Sequence, residues 1–357
     1  MKSLKLTAFE VKHQIRSITF IIVLVLFAIF IITQMNGVFH YPVSSNRDVE
    51  ALSSSGKAEY LFVPASEAEL KSGTMHYLQE NIDNGNIPAE KAKDLQQMIE
   101  LLENNSFDNV YTAMQEDAYI TSWLRACKSQ FGQKIGSIEE INHNLRVALG
   151  TTGYSRLLYE KYVTYMQISA TFLIFPIFLL LFTRDSRCNM SEILYAQPIS
   201  STKYILCRYF GALIPVLLFC YGFGILLNMI SMVRFIQAGW DIEYTFFFKN
   251  FAVYMLPTIV FLSAFIMFIM LLLKKAIAVF PIYIAYVTFN VTPKVFENGD
   301  SLGVLSRAII RLDGQSVSVQ DVMLNRVIYL SLAVVLIFVA CKLYDRLKNN
   351  LRKAVTI

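Results

Sequence analysis

Long apolar stretches alternate with polar segments along this chain. Five of these stretches are nearly free of charge, and a helix needs about 20 mostly apolar residues to cross the hydrocarbon core of a bilayer. The fourth is too long for one crossing and is interrupted only by Lys274-Lys275, so we divide it there. The pattern therefore predicts six transmembrane helices, at 18–35, 162–183, 209–233, 248–273, 276–290 and 327–341.

Composition indicates the same class of protein. Of the 357 residues, 55% are hydrophobic and 17% are charged, and the mean hydropathy is +0.46. Soluble globular domains are rarely so apolar. No cleavage site of small residues follows the first apolar stretch, so we interpret it as a retained span and not as a signal peptide. We expect an all-α polytopic membrane protein.

The distribution of basic residues predicts the orientation. Segments 1–17, 184–208 and 342–357, with the pair Lys274-Lys275, hold 15 Lys and Arg residues. The short loops on the opposite side hold six, which are Arg234, Lys249, Lys294, Arg307, Arg311 and Arg326. By the positive-inside rule, both termini and the segment 184–208 are cytoplasmic. The segments 36–161 and 291–325 are then extracellular.

The segment 36–161 is predicted to be a mainly helical, acidic domain. It carries 11 basic and 17 acidic residues, and 11 − 17 gives a net charge of −6. We expect a linker at 36–57, an extended stretch at 59–64 and helices at 67–82, 88–102, 107–131 and 138–149. The last has Ser137 as N-cap, Glu140 three residues on and Gly150 at its end. An extracellular partner could bind this domain, whereas the charge pattern indicates no nucleic-acid partner.

Two segments are expected to lie along the membrane surface. Residues 1–17 alternate basic and apolar side chains, which predicts an amphipathic interfacial helix that includes Phe9, Lys12 and Arg16. Leu302, Leu305, Ala308, Ile309 and Leu312 form an apolar helical face within 291–325, with Arg307 and Arg311 on the polar face. A helix is also expected to run without a break from Tyr154 into the second span.

The predicted spans contain no Lys, Arg, Asp or Glu between their ends. Ion-coupled transporters and pumps need such groups at mid-membrane, so their absence indicates that any transport is driven from outside this chain. Polar residues do occur, among them Gln167, Thr171 and Asn228, and they either bond neighbouring helices or line a transport pathway. The histidines and Cys127 show no metal-ligand spacing, so we predict no metal site.

The segment 184–208 is longer than a simple reversal between two spans requires. Asn189 is a candidate N-cap with Glu192 placed to complete a capping box, and Pro198 would end a helix of about two turns. Ser200 or Ser201 then caps the next helix. The segment is either an ordinary loop or the place where a second protein binds.

The residues Glu192, Leu194, Pro198, Ile199, Ser200, Lys203 and Tyr204 follow the second predicted span, and Arg208 enters the third. This pattern resembles the permease subunits of the ABC-2 type transporter family, here with a large extracellular insertion between spans 1 and 2. The resemblance implies that the segment is a coupling helix bound by ABC ATP-binding subunits. The implied contacts are Arg187, Asn189, Glu192, Leu194, Pro198, Ile199, Ser200 and Lys203, flanked by the N-terminal helix.

The resemblance also implies a second permease subunit, identical or different, and a place in a bacterial plasma membrane. The chain has no G-x-x-x-x-G-K-[ST] phosphate loop, so we expect no bound cofactor here, with ATP and Mg in the partner subunit. The expected function is export of an amphipathic, lipid-like or peptide substrate, and the chain itself is not an enzyme. The alternative is a membrane sensor or scaffold whose extracellular domain binds a ligand or protein without transport.

Overall fold

A computed structural model describes residues 2–54, 60–150, 153–187, 199–273, 275–291, 301–310 and 318–355. The chain divides into two compact units. One consists of residues 1–39 and 151–357 and is called the membrane unit below, and the other consists of residues 40–150 and is called the polar unit. The predicted domain 36–161 stays a prediction, whereas the polar unit ends at residue 150 and the helix Gly153–Arg187 belongs to the membrane unit.

The elements in chain order are mostly helices. In the first part of the chain they are α1 Lys2–Ile15, α2 Ile18–Met35, a 3₁₀ turn Asn36–His40, α3 Asn46–Ser54, β1 Phe62–Pro64, α4 Glu67–Asp83, α5 Ala89–Asn104, α6 Phe107–Ala113, α7 Ala118–Phe131, β2 Gln133–Ile135 and α8 Ile138–Leu149. They continue as α9 Gly153–Arg187, α10 Ser201–Gln237, α11 Phe246–Asn250, a π-helical turn Phe251–Met255, α12 Leu256–Leu273, α13 Ala276–Val291, α14 Ser301–Leu305 and α15 Val319–Val355.

Five helices of the membrane unit are long and apolar enough to cross a bilayer. They are Ile18–His40, Arg156–Arg184, Ser201–Gln237, Phe246–Leu273 and Val319–Asn350. The sixth predicted span corresponds to α13, which is apolar but only 16 residues long. The chain is thus a helical membrane protein, and the count of six spans stays a prediction.

Three of these helices extend well beyond the predicted spans. Helix α9 has 35 residues, and α10 and α15 have 37 each, about 55 Å at 1.5 Å per residue. The expected continuous helix from Tyr154 into the second span is confirmed. Charged residues near the ends of apolar runs are good helix formers, so they do not end the helix where the hydropathy falls.

The polar unit contains a helical core and one small sheet. Leu78, Leu95, Met98 and Leu124 are fully buried in the core that α4, α5 and α7 share. Burial raises the pKa of the Cys127 thiol, in the same core, to about 11. Strands β1 and β2 pair antiparallel, with Val63 opposite Lys134. The extended stretch and three of the four predicted helices are confirmed, whereas β2 was not predicted.

Two local predictions in the polar unit are wrong. The expected helix 107–131 is interrupted, because Asp117 accepts hydrogen bonds from the backbone N–H groups of Tyr119 and Ile120, at 2.8 and 3.2 Å, and so begins a new helix. The expected linker 36–57 contains α3. Helix α8 is confirmed with its capping box, and Gly150 follows it with a φ of 55°, a conformation that favours glycine.

Candidate functional site

Helix α1 is held to the membrane unit by a buried carboxylate. Glu10 has an 8% exposed side chain, and Arg184 at the end of α9 donates to its two oxygens from Nη2 at 3.0 and 3.2 Å. Arg208 of α10 brings its Nε to 3.8 Å from the same carboxylate. One acidic residue therefore joins three helices. Residues 2–15 form a helix, as expected, and its acidic residue Glu10 faces inward, whereas the predicted interfacial position of this helix stays a prediction.

A glycine allows this approach. A Cβ added to Gly211 would lie 2.5 Å from the Cβ of Glu10, closer than two carbon atoms can pack. Arg208, one turn earlier on α10, stacks over the ring of Tyr204 at 4.7 Å and donates from Nη1 to the carbonyl oxygen of Leu181 at 3.3 Å. Helix α1 thus packs directly against the backbone of α10.

The first turn of α10 is fixed to α15. Ser200 caps the helix and accepts from the backbone N–H of Lys203 at 3.4 Å, as predicted for this position. Ser201 donates to Asp345 Oδ1 at 2.7 Å, and Lys348 donates to the carbonyl oxygen of Ile199 at 2.7 Å. Tyr204 stacks on Tyr344 with 5.0 Å between ring centroids. A polar cleft of about 350 Å³ lies between these two helices.

The predicted coupling residues fall partly outside this description. Asn189, Glu192, Leu194 and Pro198 lie outside the described residues, and Arg187 is the last residue of α9. Ile199, Ser200 and Lys203 lie at the start of α10, beside the cleft. Phe9, Lys12 and Arg16 are exposed. The segment 188–198 is therefore bounded by two anchored helix ends.

A second polar cluster surrounds residues 307–310, which we call the buried segment. The backbone here is not helical, yet all four residues are at most 2% exposed. Gln167 donates to the carbonyl oxygen of Ile310 at 2.8 Å, and Asn290 accepts from the N–H of Ala308 at 2.7 Å. Buried backbone outside helices and strands needs side-chain partners for its polar groups, and these residues have them.

Helix α15 contributes the other side of this cluster. Asn325 donates to the carbonyl oxygen of Arg307 at 2.8 Å, and Arg326 donates from Nη1 to that of Ala308 at 3.0 Å. Thr258 of α12 lies 2.7 Å from the same Ala308 oxygen. The predicted interfacial helix at 302–312 is therefore wrong: α14 ends at Leu305, and Arg307 is buried instead of lying on a polar face. Leu312 and Arg311 lie outside the described residues.

The three candidates for pathway lining differ in their surroundings. Gln167 and Thr171 are fully buried, and Thr171 bonds the carbonyl oxygen of Ile168 on its own helix at 2.6 Å. Tyr283 of α13 donates to the carbonyl oxygen of Thr171 at 2.8 Å, which joins α9 to α13. Asn228 is 8% exposed. The contacts of Gln167 favour interhelical bonding, and the lining role stays a prediction.

Sequence reasoning missed the buried ionisable residues. Arg307 and Arg326 were assigned to loops but are 2% and 4% exposed, and Glu10 was not singled out at all. The sequence did contain an indication that Arg326 is buried. Asn325-Arg326 is a polar pair between the apolar residues Met323-Leu324 and the long apolar run from Val327.

No group of three His, Cys, Asp or Glu residues that could hold a metal ion occurs among the residues described. Comparison of the chain with models of protein families, with curated proteins and with solved structures found no significant match. Function is therefore argued from the geometry and from the sequence.

Proposed function

We propose that this chain is the transmembrane permease subunit of an ATP-driven exporter of the ABC-2 type. It would couple ATP hydrolysis by a separate nucleotide-binding subunit to the movement of an amphipathic, lipid-like or peptide substrate. The observation that carries the proposal is the anchoring of both helix ends that bound the segment 188–198. The end of α9 is tied to α1 by Arg184 and Glu10, and the start of α10 is tied to α15 by Ser201 and Asp345.

Anchoring of this kind suits a segment that receives a mechanical input. A segment that a partner displaces must pass this displacement to the helices on both sides, and helix ends held by neighbouring helices can transmit it. Four helices of the membrane unit meet the two anchors, so a displacement of 188–198 would reach all of them. Glu192 and Pro198 match the coupling motif of the family that the sequence resembles, which also supports a coupling role for 188–198.

The remaining parts of the proposal follow from the sequence. The charge distribution supports a cytoplasmic position for the segment 188–198 and for both termini. The lack of a phosphate loop supports a partner that binds ATP and Mg. A second permease subunit, identical or different, would complete the pathway in a bacterial plasma membrane.

The test is co-expression of the full chain with its candidate ATP-binding subunit, followed by purification on the permease and assay of ATP hydrolysis. Glu192→Arg and Pro198→Ala are expected to lower retention of the ATPase or its stimulated hydrolysis. Glu243→Arg reverses a charge on an exposed residue far along the chain and serves as the control. Unchanged assembly together with unchanged hydrolysis in both variants would refute the coupling role.

A second candidate function is a membrane sensor or scaffold. It is favoured by the polar unit, which has its own buried core and divides from the rest of the chain at residues 40 and 150. Such a protein would bind a ligand or another protein through this unit without transport. Purification of the chain with no ATPase, under conditions that preserve known permease complexes, would favour this function over export.

A further inference from the structure

Arg326 is a buried cation without a buried anion. Its side chain is 4% exposed within the membrane unit, and its hydrogen bonds go from Nη1 to two neutral acceptors, Thr258 Oγ1 and the Ala308 carbonyl oxygen, both at 3.0 Å. Its Nε and Nη2 groups are buried and have no hydrogen-bond partner, and it forms no ion pair with any described residue. A buried charge left uncompensated is costly, so a membrane protein retains one for a reason.

Aromatic side chains surround this guanidinium. The ring of Tyr254 lies 5.8 Å from it, and the ring of Tyr159 meets Tyr254 edge-on at 5.7 Å. Tyr159 is itself 4% exposed, and its hydroxyl group interacts with that of Tyr254. Two guanidinium N–H groups therefore lack acceptors among the described residues, next to this pair of tyrosines.

We propose that Arg326 and Tyr159 form a binding site for the anionic group, a phosphate or a carboxylate, of an amphiphile that enters from the membrane. A planar guanidinium presents paired N–H donors that match two oxygens of such a group, and the phenol can donate to a further oxygen. The aromatic walls suit the apolar part next to the head group.

A purely structural role accounts for only part of Arg326. Its Nη1 fixes the carbonyl oxygen of Ala308, and a neutral donor such as Gln or Asn would do the same without a buried charge. Neither Nε nor Nη2 takes part in that contact. The contact with Ala308 therefore gives no reason for the Nε and Nη2 groups of Arg326. A bound anion would give one, because both groups could donate to it.

Entry to the site passes the buried segment 307–310. Arg326 donates to the carbonyl oxygen of Ala308, to which Thr258 also donates, and the N–H of Ala308 donates to Asn290 Oδ1, so side chains and not a helix satisfy this backbone. Such a segment can exchange its partners without unwinding a span. The anionic group would take the place of the Ala308 carbonyl oxygen on the guanidinium.

The experiment uses the full chain purified in a neutral maltoside detergent, with no ATP-binding subunit present. Binding of phosphatidylglycerol, phosphatidylcholine and inorganic phosphate is measured separately, by bound lipid in native mass spectrometry and by the rise in unfolding temperature with ligand concentration. Phosphatidylglycerol is expected to bind more tightly than phosphatidylcholine. Arg326→Gln is expected to weaken its binding roughly tenfold or more, because a charge-assisted pair is lost.

Tyr159→Phe keeps the ring and removes only the hydroxyl group, so it tests the site even where Arg326→Gln fails to fold. We expect it to weaken phosphatidylglycerol binding about threefold to tenfold. Lys249→Gln removes an exposed cation, 70% exposed, and is expected to change binding less than about twofold, which controls for general attraction to charge.

Equal binding of the two lipids, or full binding of phosphatidylglycerol by both the Arg326→Gln and the Tyr159→Phe variants, would overturn the site. If the protein bound inorganic phosphate and neither lipid, Arg326 would still be an anion site, but the proposal that the anion belongs to an amphiphile would be refuted. Because no ATPase takes part, these outcomes are independent of the coupling role of residues 188–198.

Discussion

Arg184 donates from one nitrogen to both carboxylate oxygens of Glu10, at 3.0 and 3.2 Å, across a separation of 174 residues in the chain. Through this contact the N-terminal helix packs as part of the helix bundle. It also places the carboxylate of Glu10 beside the buried guanidinium of Arg208. Several properties of the N-terminal helix should therefore depend on one carboxylate.

Glu10→Gln should loosen α1 from the membrane unit. The amide keeps the size of the side chain but leaves Arg208 without its counter-charge, so the folded state should lose about 1–3 kcal/mol. Thermal unfolding in detergent and protease sensitivity of residues 2–15 would measure the effect. Lys12→Gln changes an exposed residue on the same helix and should leave both unchanged. Equal behaviour of the two variants would contradict a structural role for Glu10.

Gly211→Ala should disturb the same contact from the other side. The new methyl group would meet the Cβ of Glu10 at 2.5 Å, and overpacking of this kind costs roughly 1–3 kcal/mol. Gly222→Ala, on the same helix, adds a methyl group where nothing lies within 4 Å. We expect only the first variant to lower the unfolding temperature. A loss of stability in both would point to the helix itself and not to its contact with α1.

Gln167→Leu should release the buried segment. Leucine fills similar space but leaves the carbonyl oxygen of Ile310 without its donor, at a cost of about 1–3 kcal/mol. Hydrogen exchange of the amides at 308–310 should become faster than in the unchanged protein. Ser169→Ala is the control, because its hydroxyl bonds only the carbonyl oxygen of Tyr165 on its own helix. Slow exchange retained in Gln167→Leu would show that other residues suffice to hold the segment.

Asp345→Asn should weaken the link between the start of α10 and α15. A hydrogen bond from Ser201 to a charged oxygen contributes about 1.5–3 kcal/mol, and the amide would retain part of it. Under the coupling proposal, the ATP-binding subunit stays bound while its stimulated hydrolysis falls. Arg346→Gln alters the exposed neighbour and should change neither. If Asp345→Asn lowered binding of the ATP-binding subunit as much as it lowered ATP hydrolysis, Asp345 would not act in passing movement from that subunit to the helices.

The polar unit should lose stability in acid through Glu69. A hydrogen bond from Lys134, with further ones from Ser66, lowers the pKa of this carboxyl from its ordinary 4.5 to about 2. Because the folded pKa is the lower one, the contribution is complete above about pH 4.5 and disappears as the pH falls towards 2. The contact joins α4 to β2.

Hydrogen exchange at the paired strands β1 and β2, followed in the full chain from pH 5 to about pH 2.5, would measure this loss. Glu69→Gln should weaken the pairing of β1 with β2 at pH 5 and make hydrogen exchange at these strands less dependent on pH. Glu90 is an exposed residue at the start of α5, and Glu90→Gln should have neither effect. The same acid response in Glu69→Gln would assign the effect to another carboxyl.

Elements with short-range end signals were predicted well from the sequence. The capping box of Ser137 and Glu140 and the cap at Ser200 depend on residues a few positions apart, and both are present. The interruption before α7 was missed because Asp117 can continue a helix or cap a new one, and only packing decides between them.

Burial of single charges could not be predicted in the same way. A charged residue beside an apolar run usually marks a helix end at the interface, where a long side chain reaches water. Whether Arg326 does so depends on Thr258, 68 residues away, and on the backbone of Ala308. The predicted coupling residues from Asn189 to Pro198 stay a prediction, although their anchors at Arg184 and Ser201 are now located.

The Glu10 contact also sets an order of events during synthesis. At about 5–20 residues per second, Arg184 is added to the chain roughly 9–35 s after Glu10. Until then the carboxylate lacks the arginine that binds it in the folded chain. Helix α2 can insert at once, while α1 docks only after α9 and α10 are in place. The first helix to be translated is thus among the last to reach its final position.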